Sequence, residues 1–191
     1  MGRGMLAPTY KDKLATAVQR FDRFDTELCT LLNRTSRFPA VRMLFRVVSR
    51  LGNGIFWYSL MAALPLVAGR DGALIALHLG LTSVAGVAIY QRMKARFGRE
   101  RPYVHHDTIT CATPPLDRYS FPSGHTLHAV SFTAIACIYL PPLAWVLVPF
   151  TALVAMSRMI LGLHYPTDVL VGAIIGAMLA LLSFQVTGLP F

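Results

Sequence analysis

Hydrophobic and polar positions along this chain follow two regimes that change at Arg50. Before it, apolar residues recur among charges at helical spacing. Leu14, Val18, Phe21, Leu28 and Leu32 fall three, four or seven apart, and Val41, Leu44, Phe45 and Val48 share a stripe beside one of Arg42, Arg46 and Arg50. Residues 1–50 hold ten Lys or Arg against four acids and contain no uncharged run long enough to cross a bilayer. The pattern predicts amphipathic helices over about 10–34 and 39–50, lying at a membrane surface.

After Arg50 the charges thin out. Leu51 to Gly69 is uncharged and ends at "GRDG", a turn built on two glycines. Gly72 to Gln91 is a second uncharged stretch, about 30 Å as helix, which matches the hydrocarbon thickness. Thr126 to Ser157 is also uncharged and would run about 48 Å as one helix, too long for a single crossing. It must fold back, and Pro141-Pro142 supplies the break because proline rejects the helix interior and disfavours helix in the preceding residue. Val169 to Phe191 makes a last span, with Gly172 and Gly176 on a face suited to close helix contact. The predicted fold is therefore all-α: a polytopic membrane helix bundle of about five spans, residues 51–191, preceded by an N-terminal amphipathic interfacial segment, residues 1–50.

Composition agrees. Hydrophobic residues make up 54% of the 191 and charged ones 14%, against about 25% charged in soluble domains, and the mean hydropathy is +0.52. A net charge of +9 would suit nucleic acid in a soluble chain, but in one this apolar it points to anionic lipid or to topology. Nucleic acid is not an expected partner. Cys29, Cys111 and Cys137 stand far apart with no ligand spacing, so neither a metal site nor a disulfide framework is expected. The first ten residues carry no apolar signal core, and Leu6 stands where a myristoylation signal needs Ser or Thr.

This topology brings three polar segments to one face: "QRMKARFGRERP" after the second span, "SFPSGHTLH" before the third, and "SRMILGLHYPTD" after the fourth. The opposite face has only turns. The polar face gathers Lys94, Arg96, Arg99, Arg101 and Arg158, with His125 and His164, and few acids besides Asp168. Forked Arg donors and a Lys point charge suit a phosphate or diphosphate. Ser123 is a good N-cap, and Gly124 lets an anion approach the start of the following helix. Two histidines suggest chemistry beyond binding, since one imidazole can accept a phosphoryl group while another protonates the departing oxygen. Asp168, four residues after His164, is placed to accept a hydrogen bond from one of its ring nitrogens. Pro166 between them suits the first turn of the last span. His78, alone in an apolar run, is expected to bond helix to helix. His105, His106 and Asp107 read as a solvated loop, Arg118 as a candidate headgroup contact, and His128 as packing.

These segments resemble the type 2 phosphatidic acid phosphatase superfamily. Lys94 to Arg101-Pro102 is similar to its KxxxxxxRP motif, "PSGH" at 122–125 to its second, and "SRMILGLHYPTD" to SRxxxGxHxxxD with every defining position filled. The resemblance covers about residues 51–185. It implies that His164 is the nucleophile forming a phosphohistidine, that Asp168 orients it, and that His125 is the general acid and then the base. It further implies that Lys94, Arg101, Ser123, Gly124 and Arg158 hold the phosphate, with Gly162 and Pro102 serving backbone geometry. No metal and no cofactor is implied. The expected activity is hydrolysis of a membrane lipid phosphate such as phosphatidic acid, phosphatidylglycerophosphate or a polyprenyl diphosphate. A vanadium-dependent haloperoxidase, a non-catalytic lipid-binding protein and transfer to another alcohol are the alternatives. The expected location is a bacterial inner membrane, multi-pass, with oligomeric state open. Charge bias places the active face in the cytoplasm and resemblance to bacterial lipid phosphatases places it outside, so sidedness stays open.

Overall fold

The computed structural model describes residues 10–187, and among them every regular element is helical. Two amphipathic helices lead, α1 (Tyr10–Asn33) and α2 (Pro39–Arg50), joined by a single 3₁₀ turn. They lie where periodicity put them. The side chains of Leu14 and Val18, and residues 188–191 of the last predicted span, fall outside what is described.

The long helix α3 (Phe56–Phe97) is two legs, broken at Ala68 and at Gly69, whose φ of 54° favours glycine. A Cβ at Gly72 would come within 2.0 Å of the Leu64 carbonyl oxygen, so the second leg turns straight back onto the first. The short α4 (Pro102–His105) follows, then α5 (Gly124–Tyr139), α6 (Ala144–Ile160) and α7 (Pro166–Thr187). Pro141–Leu143 forms a 3₁₀ turn between α5 and α6, the predicted fold-back. α7 packs along α5 so closely that a Cβ at Gly172 would meet the Ser123 carbonyl and one at Gly176 the Leu127 carbonyl, at 2.5 and 2.4 Å. That is the small-residue contact expected of these glycines.

Among the described residues three stretches are long and apolar enough to cross a membrane: Pro39–His105, which contains both legs of α3, Pro141–Ile160 and Pro166–Val186. At 16 residues α5 is shorter, about 24 Å. The protein is a multi-pass membrane protein whose outer surface carries Leu66, Val67, Trp145, Leu181 and Val186, side chains that a water-facing surface would not collect. Trp57, Leu79, Phe132, Ile135, Leu147, Val154 and Phe184 fill the core between the helices. His78 bridges helices as expected, with Nδ1 at 3.0 Å from the Tyr139 hydroxyl and Nε2 at 2.8 Å from Ser183 Oγ.

Helix α1 turns an unexpected face inward. On α1 the buried stripe is Asp25, Cys29 and Asn33, while Phe21, Phe24 and Leu31 are exposed. Asn33 donates to the carbonyls of Thr110 and Ile160 and accepts from the Thr110 N–H, which ties α1 to the loop before α5 and to the end of α6. Phe45 and Val48 of α2 are buried, and Leu44 faces out. On α1 an outward apolar face and an inward polar one suit a helix bedded in the membrane interface and clamped to the polar end of the bundle.

Candidate active site

Each polar segment reaches the site through a helix end. α3 runs past the hydrocarbon length into a last turn bearing Lys94, and closes on Gly98 in the left-handed conformation. The chain then passes Arg99 and Arg101 into α4, where Pro102 sits at the first position. At the start of α5, Ser123 caps the helix by accepting from the Thr126 N–H and also lies 2.9 Å from the Thr126 hydroxyl. Arg158 is in the last turn of α6. Gly162 follows at φ +75°, where a Cβ would lie 2.5 Å from the Thr110 carbonyl oxygen, so the tight turn into His164 needs glycine. Pro166 opens α7, and Asp168 stands in its first turn.

Lys94, Arg101, Gly124, His125, Arg158 and His164 line one cavity of about 410 Å³, with Tyr90, Asp117 and Arg118. The two remaining residues of the predicted set stand behind this wall. Ser123 is fully buried with its hydroxyl occupied in the cap, and Asp168 is fully buried behind His164.

His164 is 2% exposed. Its Nε2 lies 3.4 Å from Arg101 Nη1, and its Nδ1 lies 3.6 Å from Asp168 Oδ2 with no hydrogen-bond partner. That separation is longer than a hydrogen bond, so Asp168 acts on the ring through its charge in this state. Burial, and then the cations Arg158, Arg101 and Lys94, hold the His164 imidazole well below its ordinary range, which keeps it neutral at pH 7. A neutral imidazole beside three cations has a lone pair to offer and a site that attracts anions.

Asp117 occupies part of that anion site. Its Oδ1 accepts from Lys94 Nζ at 2.9 Å and from Arg101 Nη2 at 2.7 Å. Burial raises its carboxyl, but the hydrogen bond and charge of Lys94 and then Arg101 outweigh this and hold it below the usual carboxylate range. Arg158 is different. It is 2% exposed, donates from Nη1 to Ser49 Oγ at 2.6 Å, leaves Nε without a partner and meets no carboxylate among the described residues. A buried guanidinium so placed lacks the compensation that burial of charge requires, which an incoming anion would supply. Among the described residues no group of three or more His, Cys, Asp or Glu is arranged to hold a metal.

Sequence reasoning gave no role to three further residues. Arg99, counted among the basic residues of the polar face, donates from Nη1 to Asp168 Oδ1 at 2.7 Å and from Nη2 to Asp25 Oδ2 at 2.8 Å. Asp25, on α1, also accepts from the Thr167 N–H and hydroxyl. Asn53, in the π-helical turn Leu51–Ile55 between α2 and α3, accepts from His125 Nε2 through its side-chain carbonyl. The signal for Asp25 was an acid three and four residues from apolar positions of an amphipathic helix; for Asn53 there was none, because its partner lies 72 residues away. Of the weaker candidates, Arg118 lies at the cavity, His128 bonds to the Gly124 and Ser83 carbonyls, and His105 is exposed beside Glu100.

Comparison with known proteins places this geometry. The sequence profile described as "PAP2 superfamily" matches residues 75–189. The chain is 32% identical over 117 residues to the undecaprenyl-diphosphatase BcrC of Bacillus subtilis, a match covering 60% of this chain and 60% of that relative. Among solved structures, Aquifex aeolicus LpxE superposes with a TM-score of 0.73 at 25% identity, covering 83% of this chain and 93% of that one. The transmembrane PAP2 type phosphatidylglycerolphosphate phosphatase of Bacillus subtilis superposes at 0.62 and 25% identity, covering 90% and 87%.

Proposed function

The chain belongs to the PAP2 superfamily, and from that premise we propose that it is an integral-membrane phosphatase that hydrolyses lipid phosphate monoesters or diphosphates through a phosphohistidine on His164. One observation carries the reading: a buried neutral imidazole shares a single cavity with Lys94, Arg101, Arg158 and a second histidine. Similarity to a named undecaprenyl-diphosphatase and to a named phosphatidylglycerolphosphate phosphatase supports lipid phosphates as the substrate class. Nothing in these matches favours a haloperoxidase or a non-catalytic protein, and a bacterial cell membrane is the proposed location.

The chemistry follows from the geometry. The substrate phosphate displaces the Asp117 carboxylate from Lys94 and Arg101 and gives Arg158 the anion it lacks. His164 Nε2 attacks phosphorus, and the ring's developing positive charge is stabilised by Asp168 behind Nδ1. The bond from phosphorus to the leaving oxygen breaks, its electron pair stays on that oxygen, and His125 supplies the proton. Burial and the nearby cations hold His125 neutral before substrate binds, and the substrate's negative charge brings it to its protonated form. The cations spread along the transferring group stabilise the charge of the transition state. Water deprotonated by His125 then attacks the phosphorus, the nitrogen–phosphorus bond breaks, and inorganic phosphate leaves.

Phosphate release from lipid phosphates in detergent tests this. His164→Ala is expected to reduce release to background, and His125→Ala to slow it by about 10²- to 10⁴-fold. Rapid acid-free quenching of the native protein with labelled substrate should trap a phosphoenzyme that His164→Ala does not form. An active His164→Ala protein would overturn the mechanism.

A further inference from the structure

A second cavity of about 380 Å³ adjoins the first, and the two share Arg158 and Leu116 as walls. Its wall is basic, with the exposed Arg46 and Arg50 of α2 joining the buried Arg158, and no acid lines it. Among the described residues none of these three arginines meets a carboxylate. Arg46 Nε donates to the Ala112 carbonyl, while Arg158 Nε, deeply buried between the cavities, has no partner. Met43 and Val47, exposed on the same helix, add apolar surface to the wall. A cavity that joins guanidinium groups to exposed apolar side chains fits an anionic headgroup with a hydrocarbon tail.

Its position relative to the chemistry says which anion. His125 lines the first cavity and Asn53 the second, and His125 Nε2 donates to the Asn53 carbonyl across the boundary. In the proposed reaction the leaving oxygen takes the proton from His125, so the leaving group lies beside His125, on the side of the phosphorus away from His164. That side opens on Arg46 and Arg50. A prenyl monophosphate or phosphatidic acid releases a neutral alcohol there, which has no use for two guanidinium groups without acids, and phosphatidylglycerophosphate releases an alcohol whose remaining phosphodiester carries a single charge. A diphosphate releases a lipid monophosphate, whose charge they match.

We infer that α2 and the π-helical turn after it form a second anion subsite that holds the departing lipid phosphate, making the protein selective for lipid diphosphates over lipid monophosphates. This rests on the phosphatase reading above. His164 attacks the terminal phosphorus, the bond from it to the bridging oxygen breaks with the electron pair on the bridge, and His125 gives that oxygen a proton. The product retained at Arg46 and Arg50 is the lipid monophosphate. Arg46, Arg50 and Asn53 follow one another at spacings of four and three, so they share one helical face, and they lie outside the segment matched by the family profile.

The test compares a prenyl diphosphate with the prenyl monophosphate of the same chain, in neutral detergent without anionic lipid. The native protein is expected to favour the diphosphate in kcat/KM by at least about tenfold, and Arg50→Gln to collapse that ratio by about tenfold, as loss of a charge-assisted contact would. Arg50→Lys should restore part of it. Arg50 is exposed and, among the described residues, no hydrogen bond or ion pair ties it to the fold, so its variants are expected to assemble normally. A preference that survives Arg50→Gln and Arg46→Gln together, or a loss equal for both lipids, would overturn the subsite and leave the phosphatase reading standing. Release from neither lipid by the native protein would overturn that reading instead.

Discussion

His164 shows how one residue's environment sets its chemistry. Its charged neighbours are Arg158, Arg101 and Lys94 on one side and Asp117 and Asp168 on the other, three cations against two carboxylates. The net field and the loss of water both disfavour the imidazolium, so its affinity for protons falls. The sign of the pH effect follows. The nucleophile is lost only when it is protonated, and protonation requires the pH to fall well below the ordinary imidazole value of 6.5. The acidic limb of kcat/KM, which reports the free enzyme, is expected below that pH. Arg101→Gln removes one cation and should move the limb to higher pH while slowing turnover. A limb unmoved by that change would mean that some group other than His164 titrates there. The same crowding explains Asp117, whose carboxylate stands in for phosphate on Lys94 and Arg101 until substrate arrives.

Helix α1 contributes to the site through a chain of charges. Asp25, 1% exposed, fixes Arg99, and Arg99 fixes the Asp168 carboxylate that faces His164. Asp168 also accepts from the Tyr165 N–H at 2.8 Å, so both of its oxygens are committed and its orientation is set. Asp25 touches neither cavity nor nucleophile, which makes it a positioning residue. Asp25→Asn keeps the shape and removes the charge, and kcat is expected to fall by about tenfold with KM for the lipid phosphate nearly unchanged. A variant whose KM rises while kcat holds would show instead that α1 serves substrate binding. The periodicity of residues 10–34 gave the helix and its amphipathic character, but the helix was legible without its orientation. Its polar residues face the protein because Arg99 and the Thr110 and Ile160 backbone need partners there, and no local pattern carries that information.

At the scale of the whole molecule, the tertiary arrangement gathers the basic residues of α1 and α2 on the same end of the bundle as Lys94, Arg101 and Arg158, since Asp25 pairs with Arg99 and Arg46 reaches Ala112. Arg70 stands at the other end, in the turn between the legs of α3. By the positive-inside rule alone such a bias would put the active end in the cytoplasm, and that is the side we propose. A cysteine introduced at Asp71, in a protein whose Cys29, Cys111 and Cys137 are replaced, is accordingly expected to react with an impermeant maleimide added outside intact cells. Protection there, with labelling at an exposed residue of the loop before α5, would put the site on the outer face. The sequence by itself determined the helices, the fold-back at Pro141-Pro142 and the end at which the motifs meet, because hydrophobic length, proline and glycine are local and the bilayer leaves few ways to arrange apolar spans. It also determined which side chains could carry phosphate chemistry, through residue type and spacing. Only the tertiary structure decided that Ser123 spends its hydroxyl on a helix cap, that Asp117 sits on the phosphate cations, and that Asp25, Arg99 and Asn53 touch the catalytic set. Those contacts join residues tens of positions apart, and their energy comes from burying charge where partners converge, which exists only once the helices have packed.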